Sequence, residues 1–467
     1  MTNDFSTFAC PPAALEIIRT LQAAGHQAVL AGGCVRDFLL GRPSQDYDIA
    51  TSAHPEQVEQ LFPKTYAIGK AFGIIAVLAD EQVYEVATFR CESDYQDGRH
   101  PKTIAFASLE EDVQRRDFSI NAMLFDPISG TLHDYVGGQQ DLQQRIIRTV
   151  GDAKQRFQED KLRLLRAVRF AVELGFSIEA ETWTAMVAES PNITCVSQER
   201  IAAELNRIML SPAPDRGLKL LDSCGMLRCI LPEVCDLQGV PQPPEYHPEG
   251  DVWEHTLIML AGFASQTGKV SFATAGPRFR DGRLARASRA EWLALAWAVL
   301  LHDLGKPGTF SQSDRIRFYN HDQVGAEMAV TVLRRLRQSS ELCETVRELV
   351  RRHMTLANFP KMRLATQRRL LQDPLFPLHL ELHYLDCWSS HGLLDVHRAL
   401  LQAWEKEENR PVPPQPLLTG ADLIALGYRP GPLFRTILDT VQDANLEGVL
   451  QSKADALEWV KEHYQPA

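Results

Sequence analysis

The stretch at residues 31–51, AGGCVRDFLLGRPSQDYDIAT, says most about the fold and the chemistry of this chain. The apolar run that leads into it, residues 28–31 (AVLA), predicts a short strand followed by a Gly-Gly turn and a helix. Residues 46–50 (DYDIA) predict a second strand. Because alternate side chains of a strand share a face, we expect Asp46 and Asp48 to project together, about 7 Å apart at Cα.

Two carboxylates in this arrangement suit Mg²⁺, which binds through one or two protein carboxylates and takes further oxygen ligands from phosphates. Two such ions can activate an attacking hydroxyl and stabilise a pyrophosphate leaving group. Gly32 and Gly33 would let the backbone approach a triphosphate at a helix start, and Arg36 would add positive charge. An Asp-x-Asp pair alone is more often solvated surface, and a Gly-Gly pair alone is usually a turn. Together they indicate a nucleoside triphosphate site.

Working outward, the chain divides into an α/β part and a helical part. Further β-rich runs at 73–79, 82–89 and 131–136 belong to the first part, and helical periodicity dominates from about residue 152 onward. The polar segment 266–290 predicts a loop or mobile insertion, and the Pro-rich segment 409–417 predicts a break before a small module. The predicted domains are an α/β head (1–150), a helical neck (151–235), a helical body (236–408) and a small helical tail (409–467).

Length and composition describe a multidomain protein of ordinary globular type. The 467 residues are too many for one core, and no run of about 18 uncharged apolar residues is present to cross a bilayer. The N-terminus lacks the basic and apolar regions of a secretory signal, and the nine cysteines are odd in number and scattered. These features predict a soluble cytoplasmic protein without membrane association; the oligomeric state does not follow from them.

The net charge of −11 argues against attraction of nucleic acid to the whole surface, because phosphate contacts need Lys and Arg. A local basic cleft is still available, since six cations fall within one stretch of the chain. The alternative is that they are ordinary solvated helix residues. The six are Arg115, Arg116, Lys161, Arg163, Arg166 and Arg169.

The segment 159–163, EDKLR, offers a way to choose a base without a template. A Watson–Crick edge is read by a donor and an acceptor held rigidly, and a carboxylate beside a guanidinium supplies both. On one continuous helix Asp160 and Arg163 would be neighbours three positions apart, with Arg166 continuing the row. Taken in isolation, the same pattern is more often a surface ion pair with a stripe of arginines.

Three motifs together resemble a known family. The pattern GG-x-VRD-x-LLGR-x(3)-D-x-D-I from residue 32, RRDFSINAM at 115–123 and EDKLRLLRAVRF at 159–170 are similar to motifs of the polymerase-β-like nucleotidyltransferases. More specifically, they resemble the class II tRNA nucleotidyltransferase (CCA-adding enzyme) and bacterial poly(A) polymerase family. The resemblance implies an α+β multidomain fold: a head with a mixed, mostly antiparallel sheet and helices, then an all-helical neck, body and tail.

The resemblance also implies roles for particular residues. Arg116 and Asp117 would contact the triphosphate and the ribose, and Asp160 and Arg163 would read the incoming base. The nucleotide site is expected to include Gly32, Gly33, Arg36, Arg116, Asp117, Asp160, Arg163, Arg166 and Arg169, with Asp46 and Asp48 as catalytic ligands of Mg²⁺. Glu85 is a lesser candidate for a third metal carboxylate, and a surface strand residue is an equally good interpretation.

The expected function is addition of CCA, or of CC alone, to the 3′ end of tRNA from CTP and ATP. Residues 94–101 (DYQDGRHP) resemble the flexible loop of enzymes that add C, and the chain ends without the strongly basic tail common in bacterial poly(A) polymerases. Poly(A) addition by the same head remains an alternative. The neck, body and tail would hold the tRNA acceptor end.

A second site is indicated by His255, His302, Asp303 and Asp386, which follow the H…HD…D order of the HD phosphohydrolase family. His321 and His353 could supply further ligands for two metals. Imidazole and carboxylate suit Mn²⁺, Fe, Ni²⁺ or Mg²⁺. The resemblance implies hydrolysis of phosphate esters such as a 2′,3′-cyclic phosphate or a 2′-phosphate at an RNA end. The alternatives are a helical body that only holds RNA, and a protein that acts mainly as a phosphohydrolase.

Overall fold

The structure, a computed structural model, describes residues 10–44, 46–95, 101–267, 287–409 and 416–465. The chain separates into two compact units, Met1–Cys235 and Asp236–Ala467, and each is described here by itself. The division into four domains stays a prediction. Among the described residues, none of the helices combines the length and the apolar character that a bilayer span requires.

The first unit is built on a sheet in which seven described strands lie in the order β3-β4-β5-β2-β1-β8-β9. β2 and β5 run parallel, and the other neighbouring pairs are antiparallel, which confirms the mixed, mostly antiparallel sheet. The strands are β1 (Ala28–Ala31), β2 (Asp48–Thr51), β3 (Thr65–Gly69), β4 (Ile74–Ala79), β5 (Gln82–Thr88), β8 (Leu124–Asp126) and β9 (Thr131–His133).

Two smaller pairings complete the strands of this unit. An antiparallel hairpin consists of β6 (Arg90–Tyr95) and β7 (Pro101–Phe106), and a short parallel pair of β10 (Ile146–Ile147) and β11 (Ser177–Ile178). The predicted loop at 94–101 falls mainly on residues 96–100, which lie outside the described residues.

The centre of the sheet explains why the 31–51 motif sits where it does. All four residues of β1 are buried, because the strand is apolar throughout and has a neighbour on each side. Val29 and Ala31 pack with Phe89, Val113 and other buried residues into a continuous core. The Gly-Gly turn therefore follows directly after a fully buried strand and lies at the edge of this core.

Helices cover the sheet and then form the rest of the first unit. The helices are α1 (Pro12–Ala23), α2 (Gly33–Leu39), α3 (Pro55–Leu61), α4 (Leu109–Gln114), α5 (Gly138–Gln144), α6 (Ala153–Glu159), α7 (Leu162–Leu174), α8 (Ala180–Glu189), α9 (Gln198–Met209), α10 (Pro214–Ser223), α11 (Met226–Ile230) and α12 (Pro232–Cys235). One continuous helix through 159–163 was the wrong expectation, because α6 ends at Glu159 and Asp160 has an extended backbone before α7 begins.

The described residues of the second unit form helices and a hairpin of β12 (Phe310–Gln312) and β13 (Ile316–Phe318), which the sequence pattern did not predict. The helices are α13 (Val252–Thr267), α14 (Arg289–Leu301), α15 (Lys306–Thr309), α16 (His321–Arg335), α17 (Ser340–Arg352), α18 (Leu364–Leu371), α19 (Phe376–Ser389), α20 (Asp395–Glu408), α21 (Gly420–Ala425), α22 (Pro432–Glu447) and α23 (Lys453–His463).

α14 lies at the centre of this unit and leads to the HD motif. A capping box of Ser288 and Glu291 starts the helix, and its length is buried, including Trp292 and Trp297. Most of the predicted loop at 266–290 falls on residues 268–286, which lie outside the described residues. The same holds for 410–415 in the predicted Pro-rich break.

Candidate active sites

A polar cavity of about 640 Å³ in the first unit brings together every residue predicted for nucleotide binding or catalysis in the head. The predicted residues that line it are Gly32, Gly33, Arg36, Asp46, Asp48, Arg116, Asp117, Asp160, Arg163, Arg166 and Arg169. Arg115, Phe170, Arg200 and Arg207 also line it. Their roles in binding or catalysis stay predictions, but the grouping shows that the three sequence motifs meet in space.

The Gly-Gly turn lets an arginine lie directly against the backbone. Gly32 has a φ of 74°, in the left-handed region that favours glycine, and a Cβ built there would lie 3.5 Å from Arg116 Nη1. The Gly32 N–H donates to the Met123 carbonyl, which ties the turn to the second motif. A side chain at residue 32 would therefore strain the turn, and its Cβ would lie in contact with the Arg116 guanidinium.

Three carboxylates meet at the end of the sheet. β2 begins at Asp48, so Asp46 lies just before the strand. The sequence pattern had predicted that both aspartates lie inside it. Val86 is paired with Ile49 in the parallel register, which places Glu85 beside Asp48. Desolvation in the cavity wall and the charge of Glu85 raise the pKa of Asp48 to about 6. Asp46 adds to this rise, and Arg116 opposes it.

This arrangement fits a cation. The carboxylates are hard oxygen donors, which Mg²⁺ prefers, and Glu85 and Asp46 both raise the pKa of Asp48, so a bound cation would offset the repulsion between them. Asp46 and Asp48, with Glu85 beside them, are therefore the residues of the described head that would hold the metal.

The cavity is locally positive although the chain is acidic. Among the described residues, eight arginines and five aspartates line it, so a polyanion meets a net excess of guanidinium groups. Lys161 is absent from the lining and instead pairs with Glu189 at 3.2 Å, which corrects its place in the predicted cleft.

Phe170 organises several of these arginines. The guanidinium carbons of Arg36, Arg166 and Arg169 lie 5.3, 5.4 and 3.9 Å from the centre of its ring. Each lies within cation–π range, so one aromatic face helps to hold three like charges together. Arg166 and Arg169 lie on the same helix as Phe170 and Arg36 lies on α2, so the sequence alone did not indicate that the three guanidinium groups share this ring.

Asp117 and Arg166 form an ion pair across two motifs, in which the aspartate is buried and the arginine is partly exposed. Arg166 Nη2 lies 2.5 Å from Asp117 Oδ2, and the Asp117 carboxylate also accepts from the Phe118 N–H. Burial alone would raise the pKa of Asp117, but Arg166 lowers it to about 2. Arg169 is 1% exposed and bonds to Glu173 and Glu204, so most of its guanidinium serves the interior of the neck.

Asp160 and Arg163 line the same cavity but do not bond to each other's side chains. Arg163 is buried and donates to the carbonyls of Arg156 and Arg115 and to Glu159. Asp160 accepts from the Leu162 N–H through Oδ1 and from the guanidinium of Arg200 through Oδ2. The predicted side-chain pair is therefore replaced by one that involves α9.

In the second unit, the six residues predicted for the HD site meet at one centre. His255 lies on α13, His302 and Asp303 follow α14, and the others belong to the ends of α16 and α17 and to α19. Two groups of metal-capable atoms, each within 4.8 Å, contain all six: His255, His302 and Asp386 in one, and Asp303, His321 and His353 in the other.

The four histidines present the same ring nitrogen to this centre. The Nδ1–H groups of His302, His321 and His353 donate to the carbonyls of Val299, Phe318 and Val350 at 3.0, 2.8 and 2.6 Å. Since a carbonyl only accepts, Nδ1 carries the proton in each neutral ring and Nε2 is left as a lone-pair donor. His255 places Nε2 3.2 Å from Asp386 Oδ1, with its Nδ1 towards Glu249.

Glu249 and His247 complete one side of this centre, and the sequence analysis missed them. Glu249 Oε1 lies 2.7 Å from His255 Nδ1 and 2.9 Å from His247 Nδ1, and the three residues form a third metal-capable group. Sequence patterns had singled out only His255 in this region, although His247 and Glu249 lie just before it in the HPEGD segment at 247–251. Its two titratable residues at 247 and 249 were the signal that could have revealed them.

The donor set fits a divalent metal. His255 Nε2, His302 Nε2 and the Asp303 carboxylate are buried and lie close together: His302 Nε2 is 3.1 Å from Asp303 Oδ2, which is also 2.7 Å from Lys306 Nζ. Burial alone would lower the pKa of His255, but Asp386 and Glu249 raise it to about 9, so the centre attracts positive charge. Buried imidazole and carboxylate groups that converge in this way are characteristic of metal sites.

A cavity of about 560 Å³ opens onto this centre. Asp303, His321, His353 and Asp386 form part of its wall. The remaining wall combines cations with aromatic rings, including Lys306, Arg315, Arg317, Tyr246 and Tyr319. The size falls within the ~300–1,000 Å³ typical of ligand pockets, and the cations suit an anionic ligand.

Comparison with known proteins agrees with this division of sites. The Poly A polymerase head domain matches residues 28–148, the probable RNA and SrmB-binding site of polymerase A matches 175–237, and the HD domain matches 253–376. A CCA-adding enzyme of Geobacillus stearothermophilus is 40% identical over 296 residues, which are 62% of this chain and 63% of the relative. In sequence and in fold, the chain is therefore similar to the class II tRNA nucleotidyltransferase and poly(A) polymerase family.

Further CCA-adding enzymes match the chain to different extents. The CCA-adding enzyme of Geobacillus thermodenitrificans is 46% identical over 214 residues, so the chain spans about half (53%) of that relative's length. The CCA-adding enzyme of Bacillus stearothermophilus, solved in complex with CTP, matches 97% of this chain and 98% of its own, with 29% identity and a TM-score of 0.67. The Thermotoga maritima enzyme complexed with tRNA shares the fold at 19% identity and a TM-score of 0.60, over 98% of this chain and 97% of its own.

Proposed function

We propose that this chain is a template-independent RNA nucleotidyltransferase that adds CCA to the 3′ end of tRNA from CTP and ATP. The observation that carries the proposal is the head cavity, which joins the carboxylates of Asp46 and Asp48 to a wall of arginines and to Asp160. The relatives named CCA-adding enzymes support the same activity. We also propose the cytoplasmic location that the sequence predicts.

Different residues of the cavity would bind different parts of the nucleotide. Arg36 and Arg116, which line the cavity beside the Gly-Gly turn, would neutralise the triphosphate oxygens. Asp46 and Asp48 would hold Mg²⁺, which when bound lowers the pKa of a hydroxyl and stabilises charge on a leaving pyrophosphate. Asp160 would accept a hydrogen bond from the amino group that cytosine and adenine both carry on their Watson–Crick edge.

The test is addition to a tRNA that lacks its 3′ CCA, with CTP and ATP offered singly and together. Two C residues followed by one A support the proposal. Only C residues indicate a CC-adding enzyme, and long A tracts without CTP indicate a poly(A) polymerase. Asp46→Ala and Asp48→Ala should each abolish addition, and Glu110→Ala, which removes an exposed carboxylate outside the cavity, should not.

A second function, metal-dependent phosphohydrolysis in the second unit, is favoured by the convergence of four histidine Nε2 atoms with Asp303 and Asp386. The proposed metal is Mn²⁺, Ni²⁺ or Mg²⁺, and the proposed substrate is a 2′,3′-cyclic phosphate or a 2′-phosphate at an RNA end. A chelated sample should be assayed with 2′,3′-cyclic AMP and 2′-AMP after addition of each metal. No hydrolysis with any of them would favour a body that only holds RNA.

A further inference from the structure

The side-chain cation that bonds to the base-reading carboxylate Asp160 in the described structure comes from α9 rather than from the EDKLR segment. Arg200 Nη2 donates to Asp160 Oδ2 at 2.9 Å. The side chains of Arg200 and Asp160 are 25% and 21% exposed, so the pair lies in the cavity wall, partly shielded from water. Shielding of this degree makes an ion pair more effective than one on an open surface.

Arg163, the expected partner, is held elsewhere. Its guanidinium donates to two backbone carbonyls, Arg156 O at 2.9 Å and Arg115 O at 3.0 Å, and to Glu159 Oε2 at 2.8 Å. These bonds anchor the Arg163 guanidinium between the second and third motifs. They do nothing to orient the carboxylate of Asp160.

The orientation of Asp160 decides which bases it can accept. Cytosine and adenine present an amino donor beside a ring-nitrogen acceptor, whereas uracil and guanine present a carbonyl acceptor beside an N–H donor. A carboxylate held opposite the 4-amino group of cytosine or the 6-amino group of adenine therefore favours the first pair and repels the carbonyl oxygen that uracil and guanine carry at the same position. Asp160 Oδ1 is fixed by the Leu162 N–H, and Arg200 fixes Oδ2.

We infer that Arg200 is a positioning residue for base selection, which holds the carboxylate of Asp160 in a fixed orientation towards the incoming nucleotide. The inference rests on the proposed nucleotidyltransferase function and concerns its specificity. Loss of Arg200 leaves the Asp160 carboxylate held at one oxygen only, so the carboxylate can rotate. Discrimination against UTP and GTP should then fall more than kcat/KM for CTP and ATP does.

Arg207 provides a matched control. It lies on the same helix, seven residues or about two turns from Arg200, and lines the same cavity. Its acidic partner is Glu173, at 3.1 Å, rather than Asp160. Arg207→Ala removes the same charge from the same cavity and leaves the Asp160 contact in place.

The experiment compares kcat/KM for CTP with UTP, and for ATP with GTP, on tRNA substrates that end before the position to be filled. Arg200→Ala should lower both ratios about tenfold, the effect expected when one hydrogen bond to a charged group is lost. Arg207→Ala should change kcat/KM for all four nucleotides by a similar factor. Arg200→Lys, which restores the charge, should recover part of the lost discrimination.

A double-mutant cycle separates positioning from a general structural effect. If Arg200 acts through Asp160, Asp160→Ala should itself lose the discrimination, and adding Arg200→Ala should lower it no further. Thermal unfolding of each variant checks the fold. If Arg200→Ala does not fold, Arg200→Gln serves in its place, since it keeps most of the side-chain length and removes the charge.

Two results would overturn the inference: wild-type ratios in Arg200→Ala, or an equal loss of discrimination in Arg207→Ala. Failure of the proposed function looks different, because the wild-type protein would then add no nucleotide to any tRNA. In that case the four nucleotides are compared by equilibrium binding with Mg²⁺. Wild-type preference for CTP and ATP that disappears in Arg200→Ala would support the inference, and its persistence would refute it.

Discussion

Gly305 lies in the HD motif segment at a point where the backbone of α16 comes too close for a side chain. A Cβ built on it would lie 2.1 Å from the His321 carbonyl oxygen and 2.8 Å from the Gly325 nitrogen. The φ of Gly305 is −78°, so alanine meets no backbone strain, and the collision alone decides the outcome. Both atoms belong to backbone, which cannot rotate away as a flexible side chain can.

The collision should move a proposed metal ligand. Cβ contacts shorter than 3.0 Å are essentially never seen, so Gly305→Ala must open the contact with His321 by about 0.9 Å. Metal–ligand distances tolerate only about 0.2 Å, so His321 would leave its group with Asp303 and His353. We expect Mn²⁺ affinity to fall at least about tenfold, the lower end for a disturbed ligand shell.

Stability should fall as well. Overpacking of this kind costs roughly 1–3 kcal/mol, which corresponds to a Tm lower by about 2–12 °C in a unit of this size. The matched control is Gly308→Ala in the same segment, where an added Cβ would meet nothing within 4 Å. The assays are Mn²⁺ titration by calorimetry and thermal unfolding of chelated protein. Wild-type affinity and a Tm equal to that of Gly308→Ala would refute the reasoning.

Three further outcomes are expected. Phe170→Leu should raise the KM for CTP and ATP about tenfold to 150-fold, because three guanidinium groups lose an aromatic contact worth about 0.5–1 kcal/mol each, and Phe170→Tyr should not; equal KM values in the two variants would contradict this. His302→Ala combined with Asp303→Ala should abolish Mn²⁺ binding and any phosphohydrolase activity in the second unit and leave nucleotide addition intact; loss of both activities would mean that the sites are not separate. His379 is buried with neither ring nitrogen hydrogen-bonded, and burial lowers its pKa to about 4, so its unfolded form, with a pKa near 6.5, binds the proton first as the pH falls. The protein should therefore lose about 2 kcal/mol of stability between pH 7 and pH 5 relative to His379→Leu, and parallel pH profiles of unfolding would rule this out.

The sequence by itself determined features that depend on neighbours along the chain. The apolar run before Gly32, the spacing of Asp46 and Asp48 and the order of the HD motif residues all predicted where chemistry would lie. Strand and helix periodicity fixed the α/β character of the head and the helical character of the rest, because a repeat of two or of 3.6 residues is a local property.

The tertiary structure alone decided which side chains meet. Asp160 is paired with Arg200 on α9, 40 residues away, and Glu249 contacts the rings of both His247 and His255. Neither pairing follows from spacing along the chain. The short β12–β13 hairpin and the collision at Gly305 were likewise invisible in the sequence. Contacts of this kind depend on how helices and strands pack in space, whereas residue spacing describes only positions along one element. The sequence therefore indicated the chemistry, and packing assigned the partners that would tune it.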